Sequence, residues 1–176
     1  FVTPRMANFL RTNGPWSQLV ELGQISLQEI QSDEIFEPIH GLQVKALKVP
    51  HRDEFSDTVA FKIQGPAQSI IFVPDIDRWE GNEKLLEELI EGVDVAYIDA
   101  TFYDGSELPG RNMSEIPHPM MIDTMQRLQN QAIKNPGSIR FIHLNHTNPS
   151  FSDWEIQRSI EQSGFRIAVQ GEKVDL

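Results

Sequence analysis

Four apolar runs in this chain each stop at a residue able to bind a metal or move a proton. Leu42 to Val49 is followed by Pro50-His51, and Ser69 to Val73 by Pro74-Asp75. Val93 to Ile98 leads into Asp99, and Ile139 to Leu144 into Asn145-His146. Residues at strand ends face the crevice where α/β proteins bind ligands, so four such ends suggest a polar site along one sheet edge. His51, Asp75 and His146 make two imidazoles and one carboxylate. That set holds zinc in hydrolases and also fits the facial triad of non-haem iron. Neutral imidazole and carboxylate bind a divalent cation while leaving positions open for water or substrate. Each histidine alone reads equally well as a surface residue at a loop edge. Asp99 closes a very apolar strand and must find hydrogen-bond donors there. It reads either as a group orienting a ligand histidine or as a cap for the next loop. His118, between Pro117 and Pro119 at a helix entrance, reads as a proton donor, a substrate contact or a surface residue. His143 falls inside the expected strand and reads as a core or supporting histidine, and His40 as exposed.

The elements that must position these residues follow from local pattern. Alternation predicts strands over Ile25–Ile30, Leu42–Val49 and Thr58–Ile63. Continuous apolar runs predict buried strands at Ser69–Val73, Val93–Ile98 and Ile139–Leu144, with a last strand from Arg166 to Val169. Asp33 to Glu37 reads as an acidic loop. Helices are expected from Pro4 to Arg11, from Trp16 to Leu22, over Asn82–Ile90, from Pro119 to Lys134 and from Ser152 or Asp153 to Ile160. Asp104 to Pro117 is rich in Gly, Pro, Ser and Asn and reads as a long functional loop. Antiparallel-looking strands followed by a βαβα alternation indicate a layered α/β sandwich in a single domain, residues 1–176.

Composition narrows the function. A net charge of -11 disfavours a grip on nucleic acid, which needs a basic surface. With no cysteine, any metal must be held by His and carboxylates. No run is long enough to span a bilayer. The expected partner is a small-molecule substrate, with a homodimer as an option. The expected compartment is the cytoplasm, or the periplasm should a signal peptide precede Phe1.

Several motifs resemble the metallo-β-lactamase superfamily. Phe72-Val73-Pro74-Asp75, then a helix, then Asp99-Ala100-Thr101-Phe102, a histidine at a helix entrance and Leu144-Asn145-His146 follow the order of its later motifs. Thr3-Pro4-Arg5-Met6, Thr12-Asn13-Gly14-Pro15-Trp16-Ser17, Val49-Pro50-His51-Arg52, Asp99-Ala100-Thr101-Phe102 and Ile142-His143-Leu144-Asn145-His146-Thr147-Asn148-Pro149 resemble its pyrroloquinoline quinone biosynthesis protein B branch. The resemblance implies an αββα sandwich, of which this chain would be the C-terminal portion, with a metal site at one edge. It implies His51 and His146 as ligands of separate metals, Asp75 as a bridge, Asp99 behind them and His118 at the substrate. Zinc is the expected metal, one or two ions, with iron or manganese as alternatives. The implied activity is hydrolysis of an ester, lactone or phosphodiester by a metal-activated water. The alternatives are an iron-dependent oxygenase or accessory protein of quinone-cofactor assembly, and a non-catalytic binding or carrier protein. Two departures stand out. The His-x-His-x-Asp-His loop of the superfamily is absent from this sequence and is expected upstream of Phe1, so this chain alone would hold half a site and show little activity. His146 stands where the quinone-cofactor branch often carries Asn.

Overall fold

The computed structural model describes residues 1–82 and 84–176. Two short helices come first, α1 (Pro4–Thr12) and α2 (Trp16–Glu21). Thr3 caps α1 by accepting from the Met6 amide, and Pro4 sits in the first turn where no N–H is needed. Seven strands follow: β1 (Ile35–Ile39), β2 (Leu42–Lys48), β3 (Val59–Gln64), β4 (Ser69–Val73), β5 (Val95–Asp99), β6 (Ile139–Ile142) and β7 (Arg166–Ile167). Helices α3 (Leu85–Ile90), α4 (Met121–Lys134) and α5 (Trp154–Gln162) connect the last four. Glu83, inside the helix expected from Asn82, lies outside the described residues. No helix among the described residues is long and apolar enough to cross a membrane.

The strands form one sheet in the order β1-β2-β3-β4-β5-β6-β7. β1 to β4 are antiparallel neighbours, and β4 to β7 are parallel. This is the layered α/β arrangement expected from the sequence. Register places Ile71 beside Ala96, Ala96 beside Ile139, and Val73 beside Ile98 and then Phe141. Paired residues share a face, and this one packs on Leu86 and Leu89 of α3, Met121, Leu128 and Ala132 of α4, and Ile160 of α5. Each fully buried Ile, Leu or Phe there contributes about 1.5–3 kcal/mol. The helix layer is locked to the loop after β4 by Trp79, whose indole N–H donates to Thr124 Oγ1 at 2.8 Å inside the core. On the opposite face the C-terminal segment crosses the sheet, where Arg140 donates to Tyr97 Oη at 2.9 Å and to Glu172 at 3.0 Å.

Three expectations are corrected. Asp33 to Glu37 is not all loop, since Ile35–Ile39 forms the edge strand β1 on β2. Its burial alternates only between exposed and half-buried, and Pro38 sits where an edge strand tolerates a missing N–H. Ile25–Ile30 alternates but makes only one bridge, between Glu29 and Val2, and has no partner strand among the described residues. β6 stops at Ile142, and His143 adopts φ 61°, a left-handed turn that a continuing strand cannot contain.

Direction in the sheet explains the edge position of the polar residues. β2 runs antiparallel to β3, and β3 antiparallel to β4, so β2 points the same way as β4, β5 and β6. The C-terminal ends of all four strands therefore meet on one rim.

Candidate metal centre

Asp99 is the anchor of this rim. It is the last residue of β5 and is fully buried. Its Oδ1 accepts from the Thr101 amide at 2.8 Å and the Thr101 hydroxyl at 2.7 Å. Its Oδ2 accepts from the Ile76 amide at 3.2 Å and from His118 Nδ1 at 2.9 Å. Burial alone would raise its pKa, but the bonds to His118, His143 and Thr101 outweigh it and hold the group at about 2. An ionised carboxylate only accepts, so His118 Nδ1 carries the proton in this bond and Nε2 is left as the free acceptor.

His118 arrives from the long loop, just before α4. The Met121 amide donates to Phe102 O at 2.8 Å and the Ile122 amide to Tyr103 O at 3.1 Å, tying the helix entrance to the chain after β5. Arg78 Nε donates to Ile116 O at 3.0 Å and fixes the loop from the other side. His143 stands opposite, with Nδ1 3.3 Å from Thr101 Oγ1 and 3.6 Å from Asp99 Oδ2. Its pKa is raised, first by the Asp99 carboxylate beside it, and its ring lies edge-on to His118 at 5.6 Å.

Asp75, two residues beyond β4, completes the group. One donor atom from each of Asp75, Asp99, His118 and His143 lies within 4.8 Å of the others. Asp75 Oδ1 is buried and accepts no hydrogen bond among the described residues, with His118 Nδ1 at 3.5 Å. Such an orphaned oxygen is costly unless something positive meets it. Its other oxygen, Oδ2, lies 3.1 Å from His51 Nε2. His51 Nδ1 is in turn 3.0 Å from Asp77 Oδ1. With Nδ1 donating to Asp77, Nε2 and Asp75 Oδ2 are two acceptors facing each other, unless a second ring proton or a cation joins them. The backbone supports this pair, since the Asp77 amide donates to Pro50 O at 2.8 Å and ties the end of β2 to the end of β4.

These residues fit a divalent cation. The donors are carboxylate and imidazole, Asp75 has an unspent oxygen, and Asp77 and Asp99 orient the rings from behind, as carboxylates do around bound zinc. The four acceptor sites of Asp99 are already used, so Asp75 is the carboxylate with a free site.

Four sequence-chosen residues, His51, Asp75, Asp99 and His118, come together. His146 does not join them. It is exposed three residues beyond His143, in the turn after β6, with Nδ1 3.1 Å from Asn145 Oδ1. The imidazole presented by this strand end is His143, because the strand stops two residues earlier than expected and the turn at positive φ swings the chain. His40 is exposed, as expected. Asp77 was not singled out from the sequence. Its position two residues after Asp75, beyond a strand end, was the available signal.

The model of the beta-lactamase superfamily domain matches residues 1–144. The chain belongs to the metallo-β-lactamase superfamily. Within it, the chain is similar to coenzyme PQQ synthesis protein B of Rhizobium meliloti (strain 1021), 22% identical over 186 residues, covering 94% of this chain and 59% of that protein. The namesake protein of Methylobacterium sp. (strain 4-46) is 25% identical over 169 residues, covering 84% and 54%. The crystal structure of Zn(2+)-bound PqqB from Methylobacterium extorquens superposes with a TM-score of 0.78 at 23% identity, over 99% of this chain and 64% of that one. The chain thus spans somewhat over half the length of the superfamily relatives it matches.

Proposed function

We propose that this chain carries the metal-binding rim of a metal-dependent hydrolase acting on a small molecule, an ester, lactone or phosphodiester. The observation that carries the reading is the buried, unbonded Oδ1 of Asp75 facing His118 beside His143. A bound divalent cation, with zinc as the first choice, would supply a water nucleophile at neutral pH and polarise the scissile bond. Asp75, His118 and His143 would hold it, with His51 sharing Asp75. Asp99 keeps His118 and His143 in fixed orientation and keeps the Nδ1 proton on His118. Asp77 does the same for His51. On the side of the long loop, His51 and His118 are both part of a cavity wall through which water can reach the rim.

A second reading is favoured by the likeness to the two PQQ synthesis proteins, which points to a step in quinone-cofactor assembly. The test is metal titration of the purified protein and its Asp75→Ala and His143→Ala variants, followed by a panel of ester, lactone and phosphodiester substrates. Metal binding lost in both variants is the expected result, with turnover of a panel member only where an upstream histidine loop completes the site. Unchanged binding in both variants would overturn the site. Metal binding without hydrolysis, together with oxygen consumption when loaded with ferrous iron, would replace the first reading by the second.

A further inference from the structure

A cavity of about 450 Å³ opens beside the candidate centre, lined by His51, Arg52, Arg111, Glu115, Ile116 and His118 among others. Its size suits a small molecule. Two of its walls are the imidazoles of the centre. Two others are guanidinium groups, an uncommon concentration in a chain with 26 acidic and 15 basic residues. Some other cations are paired, as Arg5 is with Asp53, Arg11 with Glu29 and Arg140 with Glu172. Arg52 and Arg111 have neither an ion pair nor a side-chain hydrogen bond among the described residues. The one acid in the wall, Glu115, accepts from Asn112 at 3.2 Å and pairs with neither arginine. A third guanidinium stands behind the wall. Arg78 holds Ile116 O through Nε, and its Nη2 is buried with no acceptor among the described residues.

We infer that this cavity is an oxyanion subsite, in which Arg52 and Arg111 hold a carboxylate or phosphate group of the substrate while its reacting bond lies against His51 and His118. The inference deepens the reading of the rim as a metal-dependent catalytic centre and rests on it. Guanidinium forks match the paired oxygens of carboxylate and phosphate. In a protein of net charge -11, a local positive wall also favours the approach of an anion to the rim from this side against the general field. The long loop contributes Arg111 and His118, and the β2–β3 connection contributes Arg52 and His51, so the two segments that bring imidazoles to the centre also present the charged wall.

The experiment uses inorganic phosphate and citrate as probes, titrated into the zinc-loaded and the EDTA-treated protein and followed by calorimetry and amide NMR. Zinc content is measured on the same samples. The variants are R52Q/R111Q and R52K/R111K. The expected result is saturable binding of at least one probe, weakened roughly tenfold or more in R52Q/R111Q and partly restored in R52K/R111K, with zinc content and melting temperature unchanged. A stronger response to citrate assigns a carboxylate substrate and a stronger response to phosphate a phosphoryl one. Absence of binding, or equal binding by wild type and R52Q/R111Q, overturns the inference. Failure of the centre itself reads out separately, as absence of zinc with arginine-dependent anion binding retained.

Discussion

Asp99→Asn is the most informative single change. The substitution keeps the shape of the side chain and removes its charge, at a fully buried position that accepts four hydrogen bonds. In the wild type the carboxyl falls from its ordinary value of 3.8 to about 2, equivalent to roughly 2 to 3 kcal/mol in favour of the folded, ionised form at neutral pH. The amide cannot recover this. Whichever way it turns, its NH2 faces donors, either the Thr101 pair or the Ile76 amide and His118. The expected loss at pH 7 is about 3 kcal/mol, or a melting temperature lower by roughly 6–12 °C for a chain of this size. Because the folded pKa lies below the unfolded value, this contribution is complete above about pH 5 and declines as pH falls toward 2. The gap between wild type and Asp99→Asn should therefore be roughly halved at pH 3. Urea unfolding in excess EDTA, at pH 7 and pH 3, measures it free of any metal contribution. His143, whose pKa Asp99 holds above the ordinary value, should titrate lower in the variant by NMR. A gap below about 1 kcal/mol at pH 7, or one that widens on acidification, would refute the account of Asp99 as an ionised anchor.

Three further changes probe the surroundings. Asp77→Ala removes the acceptor that orients His51, and should weaken zinc binding roughly 10–100-fold in a competition titration with little change in urea midpoint. Thr124→Val strands the buried indole N–H of Trp79 and should cost about 1–3 kcal/mol in chemical denaturation. Gly164→Ala meets two obstacles, a φ of +87° and a Cβ 2.4 Å from the Ala132 carbonyl oxygen. Its unfolding free energy should fall by more than about 1 kcal/mol.

Much of the frame is legible in residue order. The runs before His51, Asp75 and Asp99 are apolar and bounded by Pro or a carboxylate, and each forms a strand with its polar residue on the expected rim. Burial on the helix-covered face imposes that pattern, so the pattern can be read backwards. β1 is opaque for the same reason, since an edge strand with no fully buried residue leaves no mark beyond scattered Ile and Phe. Ile25–Ile30 shows the converse, alternation without a partner strand among the described residues to use it. The exchange of His146 for His143 has a subtler cause. Both histidines follow the same apolar run, and only the backbone turn at φ 61° decides which ring faces Asp99. Hydropathy carries no information about the sign of φ at a non-glycine residue. The pairing of His51 with Asp77, across 26 residues, likewise depends on β2 and β4 pointing the same way, which no local window reveals.

The consecutive strand order has a kinetic meaning. No strand must be threaded between two others already in place, so the sheet can grow outward by docking at an open border. The meander β1 to β4 closes short loops and is the natural early product, while β5 and β6 each wait for a helical crossover to fold. His51 and Asp75 would then meet early, Asp99 would follow with β5, and His143 would come only with β6. A ligand that needs all of them is a reporter of late assembly, and its presence during refolding should slow the release of β6 more than it hastens the meander.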